Sequence, residues 1–507
     1  MMKRRALALI LLSLLAFEAG AATWYVRPVT AEYGAENGSS YAAAFDGFAD
    51  IAWGAGNVNT GDTLVVCGDF GTGSADGGFG AMLLIEAAGV TIDGDCSSQG
   101  DAQKAVLDGG GTQDYGIACW TNALCSATVI RNVEVRNFDI RGVYIRNDLS
   151  TTLANNATIS NVDCKNVIGL IASSPQCFSV FGGGATLRNI TADTVTDDAI
   201  HVEGDDLLLT DWRAVSPAYN AATDVGDCVQ VAAQADNARI RNGHCDHTNA
   251  ATKQCVIIQG DAGDDNAEIS NVTCLYPETG NETNQTKGLY SSIPNTVFLK
   301  NYVVGGYYGI YAIGANAVVT GNILRKQELR GIDAVSTVTS GTHLIANNTV
   351  SGVPTCIALN GGAGVTTNIY NNSVNECTTG IVKGGSSTIN FGGNAGSGNG
   401  TDFSSCCNPM AVTTNPQFLG GLSPTTAEGF RPSATSPLIR AGTPIPGLND
   451  FDGYNFEPAP TIGAYRGPSP RSEMTSVNRV EMTSANRVEM GASNRVTMGS
   501  SNTVRLQ

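Results

Sequence analysis

The chain has 507 residues, of which 42% are hydrophobic and 15% charged; that supplies a large core and excludes a disordered polymer. Lys and Arg total 29 against 46 Asp and Glu, a net charge of −17, which excludes a nucleic-acid backbone as main partner because phosphate binding needs a basic surface. Glycine, at 61 residues, is well above the average usage of roughly 7%, and with many Asn it points to turn-rich β structure, since both tolerate φ > 0.

Residues 1–21 read as a targeting signal. Lys3, Arg4 and Arg5 form a basic start, Ala6 to Phe17 is apolar, and Ala19-Gly20-Ala21 suits a cleavage site. The alternative, an uncleaved anchor helix, is disfavoured because the stretch is short for a bilayer. Cleavage leaves an exported chain starting at Ala22, with no later run apolar enough to span a membrane. Export makes the 14 Cys candidates for disulfides. Cys67 with Cys96 and Cys119 with Cys125 read as loop staples, while the adjacent Cys406 and Cys407 cannot easily pair with each other. No spacing suits a zinc site.

Residues 22–110 read as an N-terminal cap and first coils. Trp24-Tyr25-Val26 predicts a strand, Ser40 to Trp53 an amphipathic cap helix, and Leu64-Val65-Val66 a second strand after Gly61-Asp62-Thr63. A solenoid needs such a cap to hide one end of its core.

Residues 111–411 carry a repeat. A small residue followed by an apolar one recurs at Gly116, Gly142, Cys177, Ala199, Cys228, Cys255, Gly288, Gly309, Gly331, Cys356 and Gly380, about every 26 residues. Between these lies Asn132, Asn161, Asn189, Asn242, Asn271, Asn301, Asn347 or Asn371, with Asp211 in the same place. Three residues further on stands Val, Ala or Cys: Val135, Cys164, Ala192, Ala214, Cys245, Cys274, Val304, Val350 and Val374. An Asn at the same turn of each coil can bond the Asn above and below it. The period, the short β-branched runs and the Asn ladder predict an all-β fold, a single-stranded parallel β-helix of about eleven coils. At about 4.8 Å per coil the rod is roughly 50 Å long. The Cys in these columns read as small buried hydrophobes, with vertical pairs such as Cys228 with Cys255 or Cys245 with Cys274 as the alternative.

Residues 412–468 form a Pro-rich closing segment. Residues 469–507 hold four octads, beginning Glu473-Met474 and ending at Val480, Val488, Val496 and Val504. The unit Asn-Arg-Val-Glu-Met reads as a short strand with a Ser/Gly turn, a small attachment module; the alternative is a low-complexity tail.

The Asn ladder and the small-apolar column resemble those of the exported right-handed parallel β-helix proteins of the pectate-lyase-like superfamily. So do Trp24-Tyr25-Val26, Asn37-Gly38 to Trp53 and Gly61-Asp62-Thr63. Near the end, Asn415-Pro416-Gln417-Phe418, Ser436-Pro437-Leu438-Ile439, Asp450-Phe451-Asp452-Gly453 and Ile462-Gly463-Ala464-Tyr465 resemble its closing segment. The resemblance covers residues 22–468. It implies a right-handed solenoid, secreted to the periplasm, exterior or cell surface, with a polysaccharide as partner. It leaves the chemistry open, because the superfamily holds lyases, hydrolases, epimerases and non-catalytic proteins.

Strand alternation selects the outward residues. They are Arg141 and Tyr144, Gln176 and Ser179, Asp198 and His201, Asp227 and Gln230, Gln254 beside Lys253, Lys287 and Tyr290, Tyr308 and Tyr311, then Arg330 and Asp333. Later coils fade to Thr355 with Ala358 and Thr379 with Val382. Aromatic rings stack on sugar faces and fixed polar groups choose hydroxyls, so this face is the candidate groove; the alternative is an ordinary solvated sheet.

Two reactions suit it. In β-elimination on a uronate, Lys287, Lys253 or His201 is the base and Tyr290 the acid, while Arg330, or Ca²⁺ on Asp198 and Asp227, neutralises the carboxylate. In glycoside hydrolysis, Asp198 and Asp227 form the carboxylate pair. Thr196-Asp197-Asp198 and Gly226-Asp227-Cys228 are similar to polygalacturonase coils, but Gly226 replaces one of that family's aspartates and Gln254 its histidine. Arg141, Tyr144, Gln230, Lys253, Gln254, Tyr308, Tyr311, Arg330 and Asp333 are then substrate contacts. A polysaccharide lyase is the favoured expectation, and a non-catalytic glycan-binding or cell-surface β-helix is the alternative. His244 and His247 are expected on the surface, off the groove.

Overall fold

The computed structural model describes residues 21–467 apart from 30–32, 73–79, 121–124, 147–155, 170–173, 218–225, 249–253, 279–285, 336–339, 406–409 and 456–459, and short strands within 489–506. The proposed signal, Lys253, Cys406, Cys407 and most of the octads lie outside the described residues. Two units separate at Gly467 and Pro468. In the second, Glu489–Met490, Asn494–Met498 and Val504–Leu506 form an antiparallel sheet.

The first unit is a parallel β-helix. One wall is a thirteen-stranded parallel sheet. The small-apolar motifs place eleven of its strands, and Ala81–Leu84 and Thr401–Ser404 extend it at the two ends. The apolar residue after each small one points inward and stacks on its equivalents: Ile117, Val143, Phe178, Ile200 and Val229 are fully buried. Val256, Leu289, Ile310, Ile332, Ile357 and Ile381 continue the stack. Each such side chain contributes about 2 kcal/mol by leaving water.

The opposing strands change character along the rod. From Val129–Arg136 to Glu268–Leu275 they run eight to ten residues and bend at a residue with positive φ. Asn132 (59°), Asn161 (54°), Asn189 (49°), Asp211 (56°), Asn242 (52°) and Asn271 (54°) hold that bend, which Asn and Asp tolerate better than other side chains. Their side chains form the expected ladder: Nδ2 of Asn161 donates to Oδ1 of Asn132 (2.7 Å), and Nδ2 of Asn271 to Oδ1 of Asn242 (2.8 Å).

Beyond residue 297 each strand splits in two, beginning with Val297–Leu299 and Tyr302–Val304. The residue after the bend is now a buried Asn where earlier coils place Val133, Val162, Ile190, Trp212, Gly243 and Val272. Asn301, Asn322, Asn348, Asn372 and Asn394 are fully buried, and each amide bonds the next at 2.9 Å. Asn322 Nδ2 also donates to the Phe298 carbonyl (3.0 Å). The expected ladder at Asn347 and Asn371 is thus one residue off: those two hold the bend, at φ 57°, and the buried ladder lies at Asn348 and Asn372. Likewise the inward valine is Val303, not Val304, since Val303 pairs with Cys274 in register.

The Ser40–Trp53 segment is not one helix. It forms 3₁₀ turns at Tyr41–Ala43 and Phe48–Asp50 around a short strand, Phe45–Asp46, paired with Val26–Arg27. Gly47 sits at φ 89° and interrupts the helical path. Phe45, Phe48 and Ile51 are still buried, so the apolar spacing is used by separate turns. Thr23–Arg27 and Thr63–Val66 form the expected strands. In the closing segment Phe418, Phe430, Leu438, Ile462 and Tyr465 form a second buried cluster with Ile323 and Ala395 of the coils.

Six disulfides occur among the described residues. Cys67–Cys96 and Cys119–Cys125 are the expected staples. The column cysteines are not free hydrophobes, nor are they paired vertically. Cys164–Cys177, Cys228–Cys245 and Cys255–Cys274 link the two columns across the coil interior, and Cys356 pairs with Cys377, three residues past the column position Val374, with Cα separations of 5.6–5.9 Å throughout. At this narrow point a Cβ on Gly288 would lie 2.6 Å from Cγ1 of Val303. Gly331 meets Val350 in the same way, whereas at Cys164, Cys228 and Cys255 a disulfide fills this space.

Candidate functional site

The outward residues of the thirteen-stranded sheet line up as alternation requires. Tyr144, Ser179, His201, Gln230, Ile257, Tyr290, Tyr311, Asp333 and Ala358 are successive register partners. Arg141 pairs in register with Tyr115 and Gln176, and Lys287 with Tyr308, which pairs with Arg330. From Tyr115 to Asp333 the face crosses eight strand spacings, about 38 Å. It is a track, and the candidate residues fall into three groups along it.

The first group is aromatic and cationic. Tyr115 stacks on Tyr144 with centroids 5.5 Å apart, and Trp120 meets both rings edge-on at 4.9 and 5.7 Å. Phe181 meets Tyr144 at 5.9 Å. The Arg141 guanidinium lies 4.6 Å over the Tyr144 ring, and its Nε donates to Oε1 of Gln176 (3.3 Å). Arg146 lies 5.6 Å over Phe181. Tyr115, Trp120, Arg146 and Phe181 are absent from the sequence-derived set. Arg146, Phe181 and Glu203 share a third outward column, which the same alternation reaches two residues further along each strand.

The second group is polar and largely acidic. Asp198 and Asp227 are buried at the entrance to their strands. Asp198 Oδ1 accepts the Asp227 N–H (2.9 Å), and Asp227 Oδ1 accepts the Gln254 N–H (2.7 Å), so each carboxylate ties one coil to the next. His201 Nδ1 lies 3.2 Å from Asp198 Oδ2 and 2.9 Å from Gln230 Oε1, and its Nε2 lies 3.2 Å from Glu203 Oε1. Burial pulls the imidazole down, but the hydrogen bonds to Asp198 and Glu203 outweigh it and lift the pKa to about 9. At neutral pH His201 is therefore an imidazolium donating from both nitrogens. Ca²⁺ takes six to eight oxygen ligands, and this donor set suits it poorly. Both Asp198 oxygens already face N–H groups, and a cation stands against them. Elsewhere, Asp205, Asp236 and Asp264 bring carboxylate oxygens within 4.8 Å of one another, with the backbone N–H groups of Asp236 and Ala235 already donating into the cluster.

The third group surrounds Lys287. Its ammonium lies 5.3 Å from the Tyr290 ring centroid and 5.6 Å from that of Tyr311. Those rings stack at 5.7 Å, and Tyr308 meets Tyr311 at 5.0 Å. Burial pulls the Lys287 pKa below its ordinary value, with the Asp227 carboxylate pushing back. Among the described residues no carboxylate comes within ion-pair distance of Lys287, whereas Arg330 is paired with Asp333. Asp333 also accepts from Asn360 Nδ2 (2.8 Å).

One histidine differs from expectation. His247 is buried, stacked on Tyr276 at 5.0 Å with its Nε2 3.3 Å from the Gln254 carbonyl. It follows the end of the Arg239–Asp246 strand, where alternation no longer decides direction. Burial lowers its pKa to about 4. His343 is also buried and accepts the Ala317 N–H through Nδ1 (3.2 Å).

No family model matches the chain, and no curated protein matches it in sequence. Among solved structures it is similar to pectate lyase Pel9A, at 16% identity over 88% of this chain and 98% of that one, TM-score 0.34. It is similar to the PL6 family polysaccharide lyase Pedsa3628 from Pseudopedobacter saltans, at 9% identity over 80% and 99%, TM-score 0.40. It is also similar to the tailspike protein of E. coli bacteriophage HK620 in complex with a pentasaccharide, at 10% identity over 77% and 70%, TM-score 0.34. The architecture rests on the strand ladders described above rather than on these likenesses.

Proposed function

We propose that the protein is a secreted, polysaccharide-active β-helix that holds an extended glycan along this track and cleaves it at a uronate by β-elimination, with Lys287 as base. The observation that carries the reading is the Lys287 environment: a half-buried amine, lowered in pKa, set against two aromatic rings, with no carboxylate partner among the described residues. A lysine of that kind is more readily neutral and able to take a proton.

The base removes the proton beside the uronate carboxylate, the bond to the leaving glycosidic oxygen breaks, and a carbon–carbon double bond forms. Tyr290, on the same strand, returns a proton to the leaving oxygen. Arg330 faces the carboxylate and offsets its growing charge. Tyr308 and Tyr311 supply ring faces for the sugars. His201, an imidazolium, acts through charge and not as a base. No step is routed through Ca²⁺. Export suits the six disulfides, which persist in oxidising compartments, and among the described residues no helix is long and apolar enough to cross a membrane.

A second reading, a binding protein without catalysis, is favoured by one observation. Asp198, Asp227 and Asp333 are already committed to backbone or side-chain partners. The test is ultraviolet absorbance of unsaturated product on a panel of polyuronates and sulfated glycans, with Ca²⁺ and with chelator. The lyase reading expects product from wild type, unaffected by chelator, and none from Lys287→Ala. Tight binding with neither absorbance nor new reducing ends selects the binding protein.

A further inference from the structure

The charges along the track are not uniform, and their order restricts the glycan. At one end Arg141 lies flat on Tyr144 and is fixed by Gln176. Among the described residues no carboxylate comes within ion-pair distance of it. At the other end Lys287 stands beside Tyr290 and Tyr311, again with no carboxylate within ion-pair distance among the described residues, Asp227 acting on it only at longer range. Five strand spacings, about 24 Å, separate their two strands. Among the described residues, Asp198, Glu203 and Asp227 lie between them against one cation, His201. Counted over those residues this middle stretch is net negative, in a chain whose total charge is −17.

A polymer with a carboxylate on every sugar gains at both ends of this track and loses in the middle. Ring faces are welcome throughout, because Phe181 and the tyrosines flank the polar stretch. We propose that the track selects a heteroglycan with sparse acidic sugars: anionic groups seated at Arg141 and near Lys287, with uncharged sugars crossing Asp198, His201 and Glu203. Homopolyuronates are disfavoured by the same carboxylates. The inference rests on the glycan-track reading above and names its substrate class. Like charges brought together on binding reduce affinity, and removing one restores it.

The experiment measures binding by tryptophan fluorescence and calorimetry, which need no turnover. Its probes are polygalacturonate oligomers and de-esterified fragments of gellan and xanthan, which carry isolated glucuronates between neutral sugars. Each is titrated with and without Ca²⁺ into wild type, Glu203→Gln and Arg141→Gln. At least one sparse-charge fragment is expected to bind more tightly than polygalacturonate. Arg141→Gln should weaken that fragment roughly threefold to tenfold, and Glu203→Gln should tighten polygalacturonate by a similar factor. Polygalacturonate binding as tightly as every sparse-charge fragment, or unmoved by Glu203→Gln, overturns the inference and leaves the lyase reading standing. Sparse-charge binding without unsaturated product does the reverse. No binding to any probe overturns both.

Discussion

Replacing His201 with Gln tests the electrostatics of the middle of the track. Gln keeps a hydrogen-bonding group but removes the charge that faces Asp198 and Glu203. In the fold the imidazole is lifted from 6.5 to about 9, which at about 1.4 kcal/mol per pKa unit corresponds to about 3 kcal/mol of stability. A folded value above the unfolded one means the contribution is fully present below about pH 6.5 and is lost as pH rises through about 9. The stability gap between wild type and His201→Gln should therefore be about 3 kcal/mol larger near pH 6 than near pH 10. Denaturant unfolding of both proteins across that range, beside an NMR titration of the ring, measures it. A gap that does not change with pH, or a ring that titrates near its ordinary value, refutes the reasoning.

Further expectations concern Lys287, the disulfides and the buried amides. Elimination should rise with pH along a limb whose midpoint lies below the ordinary lysine value, because burial lowers Lys287; a rate independent of pH where the amine titrates would contradict its role as base. Converting Cys228 and Cys245 to Ala should cost about 3 kcal/mol, while Cys228→Gly with Cys245→Val should recover part of the loss by restoring the pairing other coils use; thermal melts compare the two. Asn322→Ala removes an amide that serves Phe298, Asn301 and Asn348, and the groups left unpaired should cost about 1–3 kcal/mol each. Denaturant melts that leave this variant within error of wild type would show that the ladder is not stabilising.

The fold was legible because the repeat states one rule many times. The small-apolar motif marks both the strand and its inward residue, so alternation alone puts Arg141, Tyr144, His201, Lys287, Tyr290 and Tyr311 on one face. The errors arose where two neighbours satisfy the same pattern. Asn347-Asn348 and Asn371-Asn372 each offer one residue for a left-handed bend and one for a buried amide, and spacing does not distinguish them. The cysteine pairing was hidden because column membership shows what is buried, not what lies opposite. In three of the pairs a Cys of one column is matched by a Cys of the other within 13–19 residues, and that coincidence carried the information. His247 was misplaced because alternation stops at a strand end, and Trp120 and Glu203 were missed because the outward columns were followed for two positions instead of three. The charge state of His201 is set by Asp198 and Glu203, three residues before it and two after it, against a burial that only the assembled coils create.

The central claim is that an extended glycan runs along the outer face of the thirteen-stranded sheet. A crystal structure of Lys287→Ala with a bound oligosaccharide from the titrations tests it most directly. Sugar density is expected to follow the rod axis, with a ring face on Tyr290 or Tyr311 and an anionic group at Arg141. Density on another face of the solenoid, or lying across the rod axis away from these residues, would contradict it.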